Sequence, residues 1–173
     1  MPACKINLRD VIIAEANSQG VPPEIAIAVA SRESSMCHWN ADGVKRGKAG
    51  EYGVMQLMPA TAAALGVDPE DVNDNIHGGV KYLRQLYDRF HDWSLAVEHY
   101  NGSGPAARQY SAAVMAMAGK FGQALSLRAA TPGPTPAPSF TAGTKSLFSS
   151  SSALATGGII LAAAFLGYSL LKD

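Results

Sequence analysis

The chain of 173 residues carries fourteen basic and fourteen acidic side chains. No net charge therefore attracts it to nucleic acid, and no segment resembles a nucleic-acid recognition motif. Its hydrophobic content of 47% is sufficient to bury a core, and its length suits one domain of ordinary size with an appendage.

Two features near the N-terminus bear on the compartment in which the protein acts. Cys4 and Cys37 are the only cysteines, and their spacing fits no metal-binding motif, so we expect two unpaired thiols. Residues 1–10 include Lys5 and Arg9 and lack the apolar run of a secretion signal. We therefore expect no cleaved signal peptide.

The first 128 residues predict a mainly α-helical domain. Glycine and proline separate short segments whose apolar residues recur at helical spacing, and period-two alternation is nearly absent. A first helix is predicted over residues 8–18, with Asn7 as its cap and Gly20 at its end.

Prolines mark the start of the next two helices. The pair at residues 22–23 favours a helix that runs towards Ser35. Pro59 favours a short helix over residues 60–65, and Gly66 would end it.

Three more helices are predicted in the second half of this domain. One covers residues 80–90 and places its apolar side chains on a single stripe. These side chains are Val80, Leu83, Leu86, Tyr87 and Phe90. Ser94 could cap a short helix that ends near Tyr100, and Pro105 opens the last helix. The core face of that last helix consists of Tyr110, Val114, Met117 and Phe121.

The C-terminal part predicts a linker and a membrane helix. Residues 129–152 alternate proline with small residues and end in four serines, which is typical of an extended linker. Residues 153–171 carry no charge, and a helix of that length would span about 28 Å, close to a ~30 Å hydrocarbon layer. We interpret them as a transmembrane helix whose partner is the lipid bilayer, the alternative being a buried core helix. Lys145 and Lys172 flank it, so its orientation stays open.

Glu33 stands out on the second predicted helix. It lies four residues after Val29, which lies four after Ile25, so a carboxyl group continues an apolar ridge. Burial disfavours the ionised form, and such a glutamate could donate a proton near neutral pH, as cleavage of a glycosidic bond requires. The alternative is a glutamate at a frayed helix end that pairs with Arg32.

Glu33 belongs to the first of four short segments that together suggest a family. Glu33-Ser34 is followed by GVMQLMP at 53–59, NIHGGVKYL at 75–83 and AVEHYNGSG at 96–104. In this order they resemble the lytic transglycosylase family, with its goose-type-lysozyme-like fold. The resemblance covers most of residues 1–128 and none of the tail.

The resemblance implies a role for six residues. Glu33 would be the general acid and later the base. Substrate-binding roles would fall to Ser34, Gln56, Met58, Tyr100 and Asn101. Ser34 would also begin the turn after its helix, and the Tyr100 hydroxyl would lie near the catalytic carboxyl. Met55, by contrast, is expected to fill the core.

The resemblance also implies a reaction. Ordinary glycosidases use two carboxylates, and only one is supplied here. The family uses the N-acetyl group of the substrate in place of the second and then deprotonates the 6-hydroxyl of the sugar, which closes a 1,6-anhydro ring. The implied function is cleavage of the MurNAc-GlcNAc β-1,4 bond of peptidoglycan. No cofactor or metal is expected, because the four histidines have no ligand spacing.

One loop departs from the family pattern and keeps other readings open. In HWNADGVKRGKAGEY, at 38–52, the usual serine is missing and Gly47 falls nearest to its place. Asp42 or Glu51 could provide the second carboxylate of a lysozyme-like hydrolase, and Glu98 is a third candidate. The loop cations Lys45, Arg46 and Lys48 could meet peptide-stem carboxylates or be merely solvated, and the loop tryptophan Trp39 could stack on a sugar or plug the loop.

The primary hypothesis is therefore a membrane-tethered enzyme that opens peptidoglycan. The alternative is a non-catalytic wall-binding or structural module. A bacteriophage particle that carries the protein and breaches the wall during genome entry would bring it to its substrate, on the peptidoglycan side of the inner membrane. Virion proteins or other membrane helices are then possible partners.

Overall fold

The computed structural model describes residues 7–130, with side chains as far as residue 126. This part of the chain contains six α-helices and one short hairpin. The helices are α1 (Arg9–Ser18), α2 (Pro23–Ser34), α3 (Pro59–Leu65), α4 (Val72–Phe90), α5 (Trp93–Asn101) and α6 (Pro105–Ala130). The antiparallel strands are β1 (Trp39–Asn40) and β2 (Gly43–Val44), which pair Trp39 with Val44.

Helix α2 forms the centre of the fold. Its residues 25–30 are all buried, and α1 and α6 pack against it. A helix that is apolar on every side is stable only when neighbours cover it all round. The chain therefore holds the end of α2, where Glu33 lies, on a rigid support.

Most helix ends follow the local signals in the sequence. Asn7 Oδ1 accepts a hydrogen bond from the Arg9 N–H at 3.1 Å, although α1 begins at Arg9, one residue later than predicted. Helix α3 follows Pro59 and ends at Gly66, which adopts φ +73°. A glycine can adopt this left-handed conformation without steric cost.

Helix α4 is longer than predicted. It begins at Val72, eight residues before the predicted start, and the Asp71 carboxylate caps it by accepting hydrogen bonds from the N–H groups of residues 73 and 74. The adjacent glycines Gly78 and Gly79 lie inside the helix. A Cβ on Gly79 would lie 2.6 Å from Met55 Cβ, so this position needs glycine for close packing rather than for a turn.

The cap predicted for α5 is wrong. Asp92 caps this helix by accepting from the Leu95 N–H at 2.9 Å. Ser94 is inside the first turn, and its hydroxyl lies 3.2 Å from the Ser111 hydroxyl of α6. The two candidate caps are two residues apart in the sequence, and the carboxylate takes the role.

One further expectation is corrected around the end of α2. The loop that follows the helix contains the β1–β2 hairpin, two strands of two residues each. Cys37 is disulfide-bonded, so the prediction of two unpaired thiols is wrong. Cys4, the other cysteine of the chain, lies outside the described residues.

The predicted C-terminal elements lie almost wholly beyond the described part. Residues 129 and 130, assigned to the linker, continue α6 as far as Ala130. The rest of that linker and the predicted membrane helix at 153–171 are outside the described residues. Among residues 7–130, no helix combines the length and the apolar character that crossing a bilayer requires.

Candidate active site

The Glu33 carboxyl lies at the end of a buried ridge. Ile25 and Val29, two turns and one turn earlier on α2, are 4% and 0% exposed. The Tyr110 hydroxyl of α6 donates a hydrogen bond to Glu33 Oε1 at 2.5 Å. Among the described residues no group donates to Oε2, so one carboxyl oxygen is fixed and the other is available to a ligand.

Burial is the main influence on the acidity of Glu33. Loss of solvent raises the pKa of its carboxyl above the ordinary value, while the hydrogen bond from Tyr110 lowers it. The negative charge of Glu51 raises the pKa further, and the positive charges of Arg32 and Lys45 lower it by less. The net effect is a carboxyl group that keeps its proton to higher pH than a solvated glutamate would.

A tight loop follows Glu51, whose charge acts on this carboxyl. Tyr52 and Leu57 exchange two backbone hydrogen bonds of 2.9 and 3.0 Å, which close residues 52–57 into a compact turn. Inside it, Gln56 adopts φ +48°, an uncommon conformation for a residue with a side chain. Its side-chain amide donates to the Gly53 carbonyl at 2.7 Å.

Two buried polar side chains hold the loop from behind. His38 Nε2 lies 2.9 Å from the Glu70 carbonyl, and His38 Nδ1 accepts from the Val54 N–H at 3.2 Å. Asn75 Oδ1 accepts from the Met55 N–H at 2.8 Å. The Asn75 amide also donates to the carbonyls of residues 52 and 69, at 2.8 and 3.0 Å. The loop has little regular secondary structure, so these side chains satisfy its buried backbone groups.

Gly53 makes this close arrangement possible. Its φ is +72°, and a Cβ there would lie 2.5 Å from His38 Cε1 and 2.7 Å from Asn75 Nδ2. The two anchoring side chains, His38 and Asn75, therefore lie directly against the Gly53 backbone. The fully buried Met55 fills the core, as predicted.

Tyr100 joins the loop to α5. Its hydroxyl donates to the Met55 carbonyl at 2.8 Å. Burial raises the pKa of Tyr100 well above its ordinary value, and the charge of Glu33 raises it further. The hydroxyl that contacts Glu33 directly, however, belongs to Tyr110, and burial raises the pKa of that hydroxyl too.

Four of the residues predicted to bind substrate line one groove. They are Gln56, Met58, Tyr100 and Asn101. Leu57, Thr61, Tyr82, His99 and Gly102 complete its walls. Met58 is 40% exposed although it is apolar, and an exposed flexible thioether beside tyrosine rings suits the apolar face of a sugar.

Ser34 is placed differently from the other four. It is 1% exposed, and its hydroxyl donates to the Ala30 carbonyl and accepts from the Cys37 N–H. It shapes the turn that follows α2, and its side chain does not line the groove. Lys45 reinforces the same turn by donating to the Ser34 carbonyl at 2.8 Å.

The three candidates for a second carboxylate differ in their distance from the groove and in their partners. Glu51 accepts from the Ala49 N–H at 3.0 Å, and both its carboxylate and Gln56 Oε1 lie where a Cβ on Gly47 would be. Glu51 is therefore next to the groove. Asp42 is exposed at the hairpin turn, and Glu98 is turned towards Arg108 of α6 at 3.9 Å.

The other loop residues are occupied elsewhere. Arg46 pairs with Glu70 at 3.1 Å and donates to the Tyr52 hydroxyl at 2.7 Å. Trp39 is 40% exposed on the hairpin and packs edge-on against His38. Within residues 7–130, no cluster of three or more histidine, cysteine or acidic side chains could hold a metal ion.

Comparison with known proteins gives a consistent result. The family model described as "Transglycosylase SLT domain" matches residues 10–120. A transglycosylase of Enterobacteria phage PRD1 is 33% identical over 130 residues, which cover 75% of this chain and 47% of that protein. The chain therefore spans about half the length of this relative.

Solved structures with similar folds include two bacterial enzymes. An inactive mutant of lytic transglycosylase Slt from Pseudomonas aeruginosa aligns with TM-score 0.60 and 24% identity, over 68% of this chain and 24% of that one. The 70 kDa soluble lytic transglycosylase of Escherichia coli aligns with TM-score 0.60 and 20% identity, over 69% and 25%. These alignments confirm the mainly helical, lysozyme-like fold.

Proposed function

Because this chain belongs to the transglycosylase SLT domain family, we propose that it is a peptidoglycan lytic transglycosylase. It would cleave the MurNAc-GlcNAc β-1,4 bond and leave a 1,6-anhydro-MurNAc end. The observation that supports this most strongly is the half-buried Glu33, which Tyr110 holds on one oxygen and whose charge acts on the groove residue Tyr100.

The proposed reaction uses Glu33 twice. Its free oxygen donates the retained proton to the bridging oxygen, so that the leaving sugar departs neutral. The N-acetyl group of the substrate stabilises the positive charge at the anomeric carbon. The Glu33 carboxylate then removes the proton from the 6-hydroxyl, which attacks and closes the anhydro ring. Tyr100 and Gln56 shape the groove, and Met58 and Asn101 contact the sugar.

A hydrolytic alternative is favoured by one observation. Glu51 is next to the groove residue Gln56, and its charge acts on Glu33. A second carboxylate in this position could activate a water molecule, as in glycosidases that use an acid and a base. The product then has a reducing MurNAc end in place of the anhydro ring.

The decisive experiment is digestion of purified cell walls with product analysis by mass spectrometry. Anhydro ends support the transglycosylase, and reducing ends alone support the hydrolase. Glu33→Gln should lower the rate by about 10²–10⁴-fold, since it removes the proton donor, while binding to walls is retained. A wild-type protein that binds walls without cutting them at any pH would instead be the non-catalytic module.

The setting proposed for this activity is a phage particle. The support is a 33% identical relative in Enterobacteria phage PRD1 and the uncharged stretch at residues 153–171. We infer that the stretch anchors the protein in a bilayer and that the domain opens the wall during genome entry. The polypeptide should then be found in purified virus particles and partition into detergent. Its absence from the particles would contradict this role.

A further inference from the structure

His99 lines the groove, but the proposed reaction assigns it no role. It lies on α5 directly before Tyr100 and lines the groove together with Met58 and Asn101. The eight side chains and one glycine of that lining include no carboxylate, and His99 is their one basic group. A ligand in the groove therefore meets an imidazole without an acidic neighbour in the same wall.

The ring of His99 is fixed by stacking rather than by hydrogen bonds. It lies on the Phe90 ring of α4, with centroids 4.2 Å apart and planes 11° from parallel. Within the described residues, neither ring nitrogen has a hydrogen-bond partner. One face of the imidazole is covered, and its polar edge remains available to a ligand.

The charges around this ring favour an anion. The guanidinium of Arg89 lies 5.2 Å from the centre of the Phe90 ring, on which His99 stacks. The nearest acid in sequence, Glu98, is directed towards Arg108. An imidazole N–H donates to a carboxylate in its neutral form, and protonation adds a second donor and a positive charge.

We propose that His99, together with the Asn101 amide that lines the same groove, forms a carboxylate-binding subsite for the acidic substituent of the glycan. The inference deepens the proposed function and rests on it. Peptidoglycan can present a carboxylate in two ways: as the free lactyl group of MurNAc on strands without peptides, or as an acidic group of the peptide stem. The chemistry at His99 is the same for both.

The test compares wild type with His99→Phe, which keeps an aromatic ring on Phe90 but has no N–H donor. The substrates are strands stripped of peptides, strands with stems, and stripped strands whose carboxylates have been converted to methyl amides. We expect KM to rise about tenfold on carboxylate strands, the loss of one charged hydrogen bond, with kcat unchanged. The neutral strands should show no change in KM.

The substrate arms identify the source of the carboxylate. A KM effect confined to stripped strands assigns the lactyl group, and one confined to stem-bearing strands assigns the peptide. His77→Phe, which removes an imidazole of α4 outside this groove, should change neither. An equal effect on neutral strands, or no effect on any strand, would overturn the subsite.

A failure of the proposed function can be told apart from a failure of the subsite. If wild-type protein cleaves none of the strands, the lytic activity is disproved. Calorimetric binding of stripped and amidated strands to wild type and His99→Phe still decides the subsite. Tighter binding of the carboxylate form by wild type alone supports it, and equal binding contradicts it.

Discussion

At the scale of single residues, the site depends on which hydroxyl meets the acid. Tyr110 donates to Glu33 Oε1, whereas Tyr100 donates to the Met55 carbonyl. The first hydrogen bond stabilises the carboxylate and so opposes the effect of burial on the Glu33 pKa. The two tyrosines therefore have separate effects on acidity and on loop position.

Tyr110→Phe should raise the Glu33 pKa further, because the hydrogen bond that lowers it is lost. The alkaline limb of the kcat/KM profile should then move to higher pH. The rate at its optimum should fall roughly tenfold, since Oε1 is left without its partner. Tyr82→Phe, which removes a hydroxyl from the groove wall, is the control and should leave the limb in place. A shift to lower pH would contradict this assignment.

A second prediction concerns Gly53. Gly53→Ala and Gly66→Ala both place alanine at a φ close to +73°, but only Gly53 has neighbours within 4 Å of the new Cβ. Gly66→Ala should cost about 1–2 kcal/mol from backbone strain alone. Gly53→Ala should cost roughly 1–3 kcal/mol more, because it displaces the His38 and Asn75 side chains. Urea unfolding of both variants measures the difference, and equal losses would mean that the loop tolerates displacement.

Residues of the site differ in how far the sequence predicts them. Glu33 interrupts an apolar ridge, and Gln56 and Asn101 belong to motifs, so each carries a local signal. Tyr110 occupies a core position by its helical spacing, and its partner is 77 residues away. A buried tyrosine in an apolar stripe needs a partner for its hydroxyl. The sequence therefore predicts that a partner exists but does not identify it. His38 lies in an irregular loop, where neither period nor spacing indicates burial.

At the scale of elements, local capping signals predict helix ends well and tertiary contacts override them where the helices pack closely. Pro59 and Gly66 bound α3 as predicted, because proline and glycine act through their own backbone. Gly78 and Gly79 lie inside α4, which begins eight residues before the predicted start. Their role is to let Met55 and Val67 approach the helix, which depends on residues distant in sequence.

The contrast between two helical glycines tests this explanation. Gly119→Ala on α6 has nothing within 4 Å of the new Cβ and should stabilise the protein by about 0.5–1 kcal/mol through helix propensity. Gly79→Ala gains the same propensity but pushes Met55 away, and we expect a net loss of about 1–3 kcal/mol. Thermal unfolding of the pair gives the sign of each change. Stabilisation by both would show that α4 and the loop can separate without cost.

At the scale of the whole molecule, burial of the Glu33 carboxyl lowers the stability of the folded domain when that group ionises. The pKa of Glu33 is raised in the folded state, so the folded protein retains a proton that the unfolded chain releases. Its contribution to stability is complete below the pKa of the unfolded chain and is lost as pH rises through the folded pKa. The site that makes the proton available thus weakens the domain at the pH where it would act.

Glu33→Gln should therefore be as stable as wild type at acid pH and more stable near neutrality. Glutamine keeps an acceptor for the Tyr110 hydroxyl and cannot ionise. The melting temperature of both proteins between pH 4 and pH 8 checks this, with Asp42→Asn as a variant that removes an exposed carboxylate. If the difference in melting temperature between wild type and Glu33→Gln became smaller as pH rises, the proposed effect of the buried carboxyl on stability would be refuted.

The hydrogen bond between Glu33 and Tyr110 can form only after most of the domain has been synthesised. The glutamate emerges early from the ribosome and its hydroxyl partner late, with the whole of α3, α4 and α5 between them. A nascent or prematurely terminated chain that stops before α6 carries all four motif segments but lacks Tyr110, the hydroxyl that donates to Glu33 Oε1. Only a chain that extends through α6 can therefore complete this hydrogen bond.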